Sequence, residues 1–255
     1  MKKLRRASPK RLRKLQVVKG HMEYGFHRYL PQRATYMTIL REPVDRIVSS
    51  YYYAMSYRHH PLHRIVQSKS LVEFCELAPW VHNLQTKLIG GIPVAEINPR
   101  PAVLAAQRGE FVPWQGFTGR HCEQQTLDAA GEHLKNRFSL VGLTEHFNDT
   151  LALMQITYGW KISRFLRFRQ SSKRPGSSVV PDEVIARITE MNKFDVELYR
   201  QGEKMFQSSL AQHKDQVSDI LARMAAAPEP GRLSATFQEC SAWGRFAVSL
   251  VRSAL

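Results

Sequence analysis

The chain has 255 residues, enough for one large domain or two small ones, and its 43% hydrophobic and 10% aromatic content is that of a globular protein. Its net charge of +15, from 37 basic and 22 acidic residues, calls for an anionic partner: a nucleotide, an acidic glycan, nucleic acid or a membrane surface. No run approaches the ~18 apolar residues of a membrane span, no apolar stretch follows the MKKLRR start as in a signal peptide, and the three scattered cysteines (Cys75, Cys122, Cys240) show neither disulfide nor zinc spacing and fit a reducing compartment.

In chain order, residues 1–20 carry nine Lys or Arg and no acid, which reads as a solvated basic arm over 1–16, with polyanion binding as the alternative. Val17-Val18 leads into a Gly-containing loop, Gly20 to Gly25. Ala34 to Leu40 is a buried strand between Pro31 and Arg41-Glu42-Pro43. Pro43 suits a first helical turn, and Val44, Ile47, Val48, Tyr51, Tyr52 and Met55 form the apolar stripe of the helix that follows. His59, His60 and His63 lie in a polar stretch beside Pro61 with no carboxylate or thiolate near, which reads as a surface loop and not a metal site. Ser70-Leu71-Val72-Glu73 is a capping box. A short helix over Asn83 to Ile89 stops at Gly90-Gly91, and the proline-rich 92–119 is a long irregular excursion.

A helix over about Gln124 to Arg137 leads to a second strand, Phe138 to Leu143. Thr144 is placed to cap a helix that ends at Gly159, Ser171 to Ser178 is a polar basic loop, and Pro181 to about Gln207 is helical again. Two strand–helix units predict an α/β fold with a mostly parallel sheet over 17–210, followed by a helical or partly disordered tail over 211–255.

Arg41 to Ser49 is the most informative segment. An Arg at a strand's C-terminal end, just before a helix N-terminus, offers a rigid fork of donors to an anion, reinforced by first-turn amides and the helix dipole. Ser49 falls two turns along, opposite Val44, Val48 and Met55, within reach of a phosphate beside the helix. The alternative is a local ion pair of Arg41 with Glu42 or Asp45 and a merely exposed Ser49.

The pattern from Leu40 to Tyr53, L-R-E-P-V-D-R-I-V-S-x-Y-Y-Y, resembles the 3′-phosphate-binding segment of PAPS-dependent carbohydrate sulfotransferases, near the heparan sulfate 2-O-sulfotransferase type and its bacterial relatives. The resemblance extends to Gly20–His27, Asn83–Lys87, Val141–Phe147 and Asp195–Tyr199, most of residues 17–207. It implies a P-loop-NTPase-like parallel sheet flanked by helices, PAPS as co-substrate without a metal, and a glycan acceptor. It also implies that Arg41 and Ser49 hold the 3′-phosphate and that His21, in the Gly20-His21 turn, is the general base on the acceptor hydroxyl, with His27 a weaker second. Lys173 and Arg174 match, loosely, a late basic loop that meets the nucleotide's phosphate.

The family normally opens with a P-K-[TS]-G-[GST]-[TS] loop that cradles the 5′-phosphosulfate. The twenty residues before His21 hold no such loop, so the expectation is a fold lacking its first strand–loop–helix unit, through a shortened start or degeneration. Two functions follow: sulfuryl transfer from PAPS to a carbohydrate hydroxyl, or binding of a nucleotide or polyanion without transfer. No motif supports a specific nucleic-acid role. With no anchor in view, a bacterial cytoplasm is the simpler location, and a Golgi lumen the alternative for a eukaryotic source.

Overall fold

A computed structural model describes residues 8–20, 22–60, 62–97, 121–160, 162, 180–227 and 248–252. His21, Lys173 and Arg174 lie outside the described residues, as does the excursion beyond residue 97. A single turn, α1 (Pro9–Leu12), precedes the short strand β1 (Val17–Val18). Then come β2 (Ala34–Leu40) and the helix α2 (Pro43–Ser56), the strand–turn–helix unit the sequence predicts. Five residues of β2, from Tyr36 to Leu40, are buried in succession, as in a strand covered on both faces.

Two single turns, α3 (His63–Val66) and later α6 (Val94–Ile97), flank α4 (Leu71–Leu77) and α5 (Leu84–Ile89). The expected capping box starts α4: the Glu73 amide donates to Ser70 Oγ (3.2 Å) and the Ser70 amide to Glu73 Oε2 (2.8 Å). The helix α7 (Gln124–Arg137) runs into β3 (Phe138–Leu143), and α8 (Phe147–Tyr158) ends at Gly159, whose φ of +66° suits a residue without a Cβ. Thr144 does not cap α8. Its amide and its hydroxyl both donate to the Leu40 carbonyl (2.8 and 3.0 Å), tying the ends of β2 and β3 together, and His146 stands at the N-cap instead.

The predicted helix over Pro181 to about Gln207 is two helices, α9 (Asp182–Met191) and α10 (Lys193–Gln212), and a third, α11 (Lys214–Ala226), falls within the stretch expected as a tail. The break falls at Asn192, a fully buried residue whose amide side chain is drawn into contacts with Asn83 and Arg46. The last described strand, β4 (Val248–Arg252), enters the sheet between β1 and β2.

The sheet order is β1-β4-β2-β3. β2 and β3 are parallel, with Thr38 opposite Val141 and Leu40 opposite Leu143. β4 is antiparallel to both β1 and β2, so β1, β2 and β3 share one direction with β4 lying in the gap between the first two. Helix α10 crosses close over the sheet at Gly202, where a Cβ would collide with Leu40.

Two apolar clusters fill the interior. One surrounds the sheet and includes Met37, Ile39, Leu88, Leu140, Leu153 and Phe206. The other joins α2, α4 and α9 through Ile47, Val48, Phe74, Trp80 and Ile188. Buried polar side chains, among them Arg46, Asn83, Gln85, Asn192 and Asp195, link the elements of both clusters near the C-terminal end of β2. A buried polar group must be hydrogen-bonded to be tolerated, and this requirement fixes the candidate site's surroundings.

Candidate functional site

The site is built on the turn from β2 to α2. Gln85, at the start of α5, holds the turn by its backbone: the Arg41 amide donates to Gln85 Oε1 and Gln85 Nε2 donates to the Arg41 carbonyl, both at 2.9 Å. A side-chain amide here does the work of a neighbouring strand. Pro43 opens α2 at its first turn, where a missing N–H leaves no bond unmade.

Glu42 caps α2. The Val44 and Asp45 amides donate to its Oε1 (3.0 Å) and Oε2 (2.6 Å). The first-turn amides expected to greet an anion are thus already engaged by the chain's own carboxylate. The Glu42 amide in turn donates to Glu145 Oε1 (2.9 Å), whose other oxygen accepts from Tyr199 Oη (3.0 Å). Burial, and next the carboxylate of Glu145, push the Glu42 carboxyl above its ordinary range despite the bond from the Val44 amide. Burial and Glu145 likewise push the Tyr199 phenol well up, so it stays a neutral donor.

Arg41 is buried at 8% exposure, and burial lowers its pKa while Glu145 and Glu42 act to raise it. Its Nε donates to Asp45 Oδ2 at 2.7 Å, and its Nη2 lies 2.5 Å from the same oxygen. The local pair with Asp45 that the sequence allowed is therefore formed. Ser49 lies half-buried one turn beyond Asp45, on the side of α2 away from the buried Val44 and Val48, and its hydroxyl makes no hydrogen bond among the described residues. Asp45 and Ser49 thus follow one another along one face of α2, and Arg41 reaches Asp45 from the turn before the helix.

The sulfotransferase-family profile matches residues 2–200. The chain belongs to the sulfotransferase family. It is similar to the heparan-sulfate 6-O-sulfotransferase 1 of Homo sapiens, 27% identical over 198 residues. That match takes in 69% of this chain but only 44% of the relative's length. No solved structure matches significantly.

In this sulfotransferase-family chain the second arginine of the motif, Arg46, is architectural. Its Nη2 donates to the Val81 carbonyl (2.6 Å) and to Asn192 Oδ1 (3.0 Å). Its Nε stands 3.5 Å from Asp195 Oδ2, an ion pair without a formed hydrogen bond. Asp195 caps the start of α5, accepting from the Thr86 amide and hydroxyl (2.8 Å each) and the Gln85 amide (3.3 Å). Asn83, left-handed at φ +50°, accepts at Oδ1 from the Phe194 and Asp195 amides and so caps α10. The Asn83–Lys87 and Asp195–Tyr199 segments, singled out only by resemblance, are the two halves of this knot.

His27 is engaged away from α2. Tyr36 Oη accepts from the Gly25 and His27 amides (3.0 and 3.1 Å) and meets His27 Nδ1 at 2.7 Å. With both phenol lone pairs taken, the phenol proton points to Nδ1, which puts the ring's own proton on Nε2. Burial, then Arg28, Arg137 and His133, hold the His27 pKa down. Such an imidazole has no free basic nitrogen, so His27 reads as structural. Among the described residues no group of His, Cys, Asp or Glu could hold a metal, and no helix is long and apolar enough to cross a membrane. His60 Nδ1 and His63 Nδ1 both meet backbone groups, at Leu62 and Ala54.

Proposed function

We propose that this protein binds PAPS by the 3′-phosphate at Arg41 and Ser49 and serves sulfuryl transfer to a carbohydrate hydroxyl. One observation carries the reading. Arg41, on the turn between β2 and α2, pairs with Asp45 in the first turn of α2, and Ser49, whose hydroxyl makes no hydrogen bond among the described residues, follows one turn later, in a chain that matches the sulfotransferase family over residues 2–200. Ligands of open α/β sheets bind at the C-terminal ends of the strands. PAPS, when bound, supplies the sulfuryl group. His21 is the proposed base, taking the proton of the attacking hydroxyl at neutral pH. Lys173 and Arg174 are proposed to add positive charge at the nucleotide's phosphates. The P-loop-NTPase-like form of the fold belongs to this same reading.

Calorimetry with 3′-phosphoadenosine 5′-phosphate tests it. Arg41→Ala removes a charge-assisted fork and should weaken binding by about 1.5–3 kcal/mol, and Ser49→Ala by about 0.5–1.5 kcal/mol. Unchanged affinity in a folded Arg41→Ala protein would sink the assignment. The second reading is binding without transfer. Labelled PAPS offered with a panel of glycans separates the two: sulfated product supports transfer, and tight nucleotide binding without product supports the second.

A further inference from the structure

Asp45 occupies the ground between the two groups proposed to hold the phosphate. Residues four apart on a helix are surface neighbours, which puts Asp45 beside Ser49, and the observed pair puts it against Arg41 on the turn before α2. Its Oδ2 takes both the Nε and the Nη2 of Arg41, the edge of the guanidinium best shaped for two parallel bonds to an oxyanion. The pair is well sheltered, with side-chain exposures of 10% and 23%, so water weakens it little. The other nearby carboxylates are committed elsewhere, Glu42 to the Val44 and Asp45 amides and Glu145 to the Glu42 amide and Tyr199. A phosphate bonded to both Arg41 and Ser49 would lie against the Asp45 carboxylate or take its place.

We propose that Asp45 is a built-in competing anion: it fills the Arg41–Ser49 site when no donor is present and must yield the guanidinium to the donor's 3′-phosphate. This rests on the 3′-phosphate reading above. The consequence is selectivity. A doubly charged phosphate ester that also reaches Ser49 displaces the carboxylate, whereas a nucleotide with a plain 3′-hydroxyl gains nothing by doing so. Singly charged anions also compete poorly against a tethered carboxylate, whose effective concentration at Arg41 is set by the helix.

The test is titration calorimetry of the 255-residue protein with 3′-phosphoadenosine 5′-phosphate and with adenosine 5′-monophosphate. It uses the wild type, Asp45→Asn, Asp45→Ala and Arg41→Ala, each checked for fold by circular dichroism. Removing the competitor should tighten the 3′-phosphorylated nucleotide about tenfold while leaving adenosine 5′-monophosphate within about twofold. Asp45→Ala, which cannot hydrogen-bond to Arg41 at all, should tighten it at least as much as Asp45→Asn. If Arg41→Ala weakens binding but both Asp45 variants weaken it too, or leave it unchanged, Asp45 orients the guanidinium and the proposal is overturned while the 3′-phosphate reading stands. If Arg41→Ala leaves the affinity unchanged, the 3′-phosphate reading itself falls and takes the competing-anion proposal with it.

Discussion

Asp195 is the residue whose loss should damage this fold most. It is fully buried. It accepts from the Thr86 amide and hydroxyl and from the Gln85 amide, and it faces the Arg46 guanidinium at 3.5 Å. Truncation to alanine has two separable effects. The start of α5 loses its cap, worth about 1 kcal/mol. Arg46, itself only 5% exposed, is left as a buried cation without its carboxylate, and breaking such a pair costs about 3–5 kcal/mol. The two effects share a site and do not simply add, so Asp195→Ala should lose about 4 kcal/mol, a large part of the ~5–15 kcal/mol a domain has. Urea unfolding followed by circular dichroism measures this as a drop in midpoint at constant slope. A double replacement, Arg46→Met with Asp195→Leu, should be milder than Asp195→Ala alone, because no unpaired charge remains. Since the start of α5 carries Gln85, the clamp on Arg41, nucleotide affinity should fall in Asp195→Ala even where the fold persists. A loss below about 1 kcal/mol in Asp195→Ala would refute the reasoning, since neither the cap nor the pair could then have been formed as described.

The remaining predictions concern acid and packing. His82 donates from Nε2 to the Cys75 carbonyl (3.0 Å), and burial, against the pull of that bond, lowers its pKa from 6.5 to about 4. A depressed histidine pKa means that the unfolded chain takes up the proton first. Stability is therefore full above pH 6.5 and falls as the pH drops towards 4, by up to about 3 kcal/mol before solvent screening. Urea midpoints at pH 7 and pH 5 should differ less in His82→Gln, which cannot titrate; an identical difference would remove His82 from the account. Gly202→Ala should be destabilising despite alanine's better helix propensity of about 1 kcal/mol, because the new methyl meets Leu40 and Val141 across the sheet. A thermal midpoint at or above that of the wild type would mean that the α10 crossing relaxes freely.

How much of this could be read from the sequence depends on how local the cause is. The strand before Pro43, the α2 stripe, the Ser70–Glu73 capping box, α7 and the Gly159 stop rest on residues a few positions apart, and all appear in the structure. The Arg41–Asp45 pair, four residues apart, was one of two local alternatives, and the physical choice between them was beyond the sequence. What stayed hidden has distant causes. The helix break at Asn192 comes from Arg46 and Asn83, more than a hundred residues away. The role of Glu145 depends on Glu42, and the antiparallel insertion of Val248–Arg252 depends on edges offered by β1 and β2. Thr144 reads as a cap by local rules, but the Leu40 carbonyl at the end of the neighbouring strand outbids its own helix for the hydroxyl.

The charge distribution separates attraction from selection. The whole chain carries +15, so at low salt it draws anions of any kind from a distance. Around Arg41, however, the described neighbours include three carboxylates: Asp45 on its guanidinium, Glu42 on the first amides of α2, and Glu145 on the Glu42 amide. A site that merely gathered polyanions would gain from an uncovered Arg41 and free first-turn amides. One that must distinguish a 3′-phosphate from the many anions a basic protein attracts gains from having those donors already occupied, so that only a ligand with better-placed charge and a second contact at Ser49 displaces the incumbent. On this argument the long-range field sets how often anions arrive, and it should weaken with added salt. In the proposed donor site, discrimination would reside in the short Arg41–Asp45 pair, sheltered from solvent, and should persist.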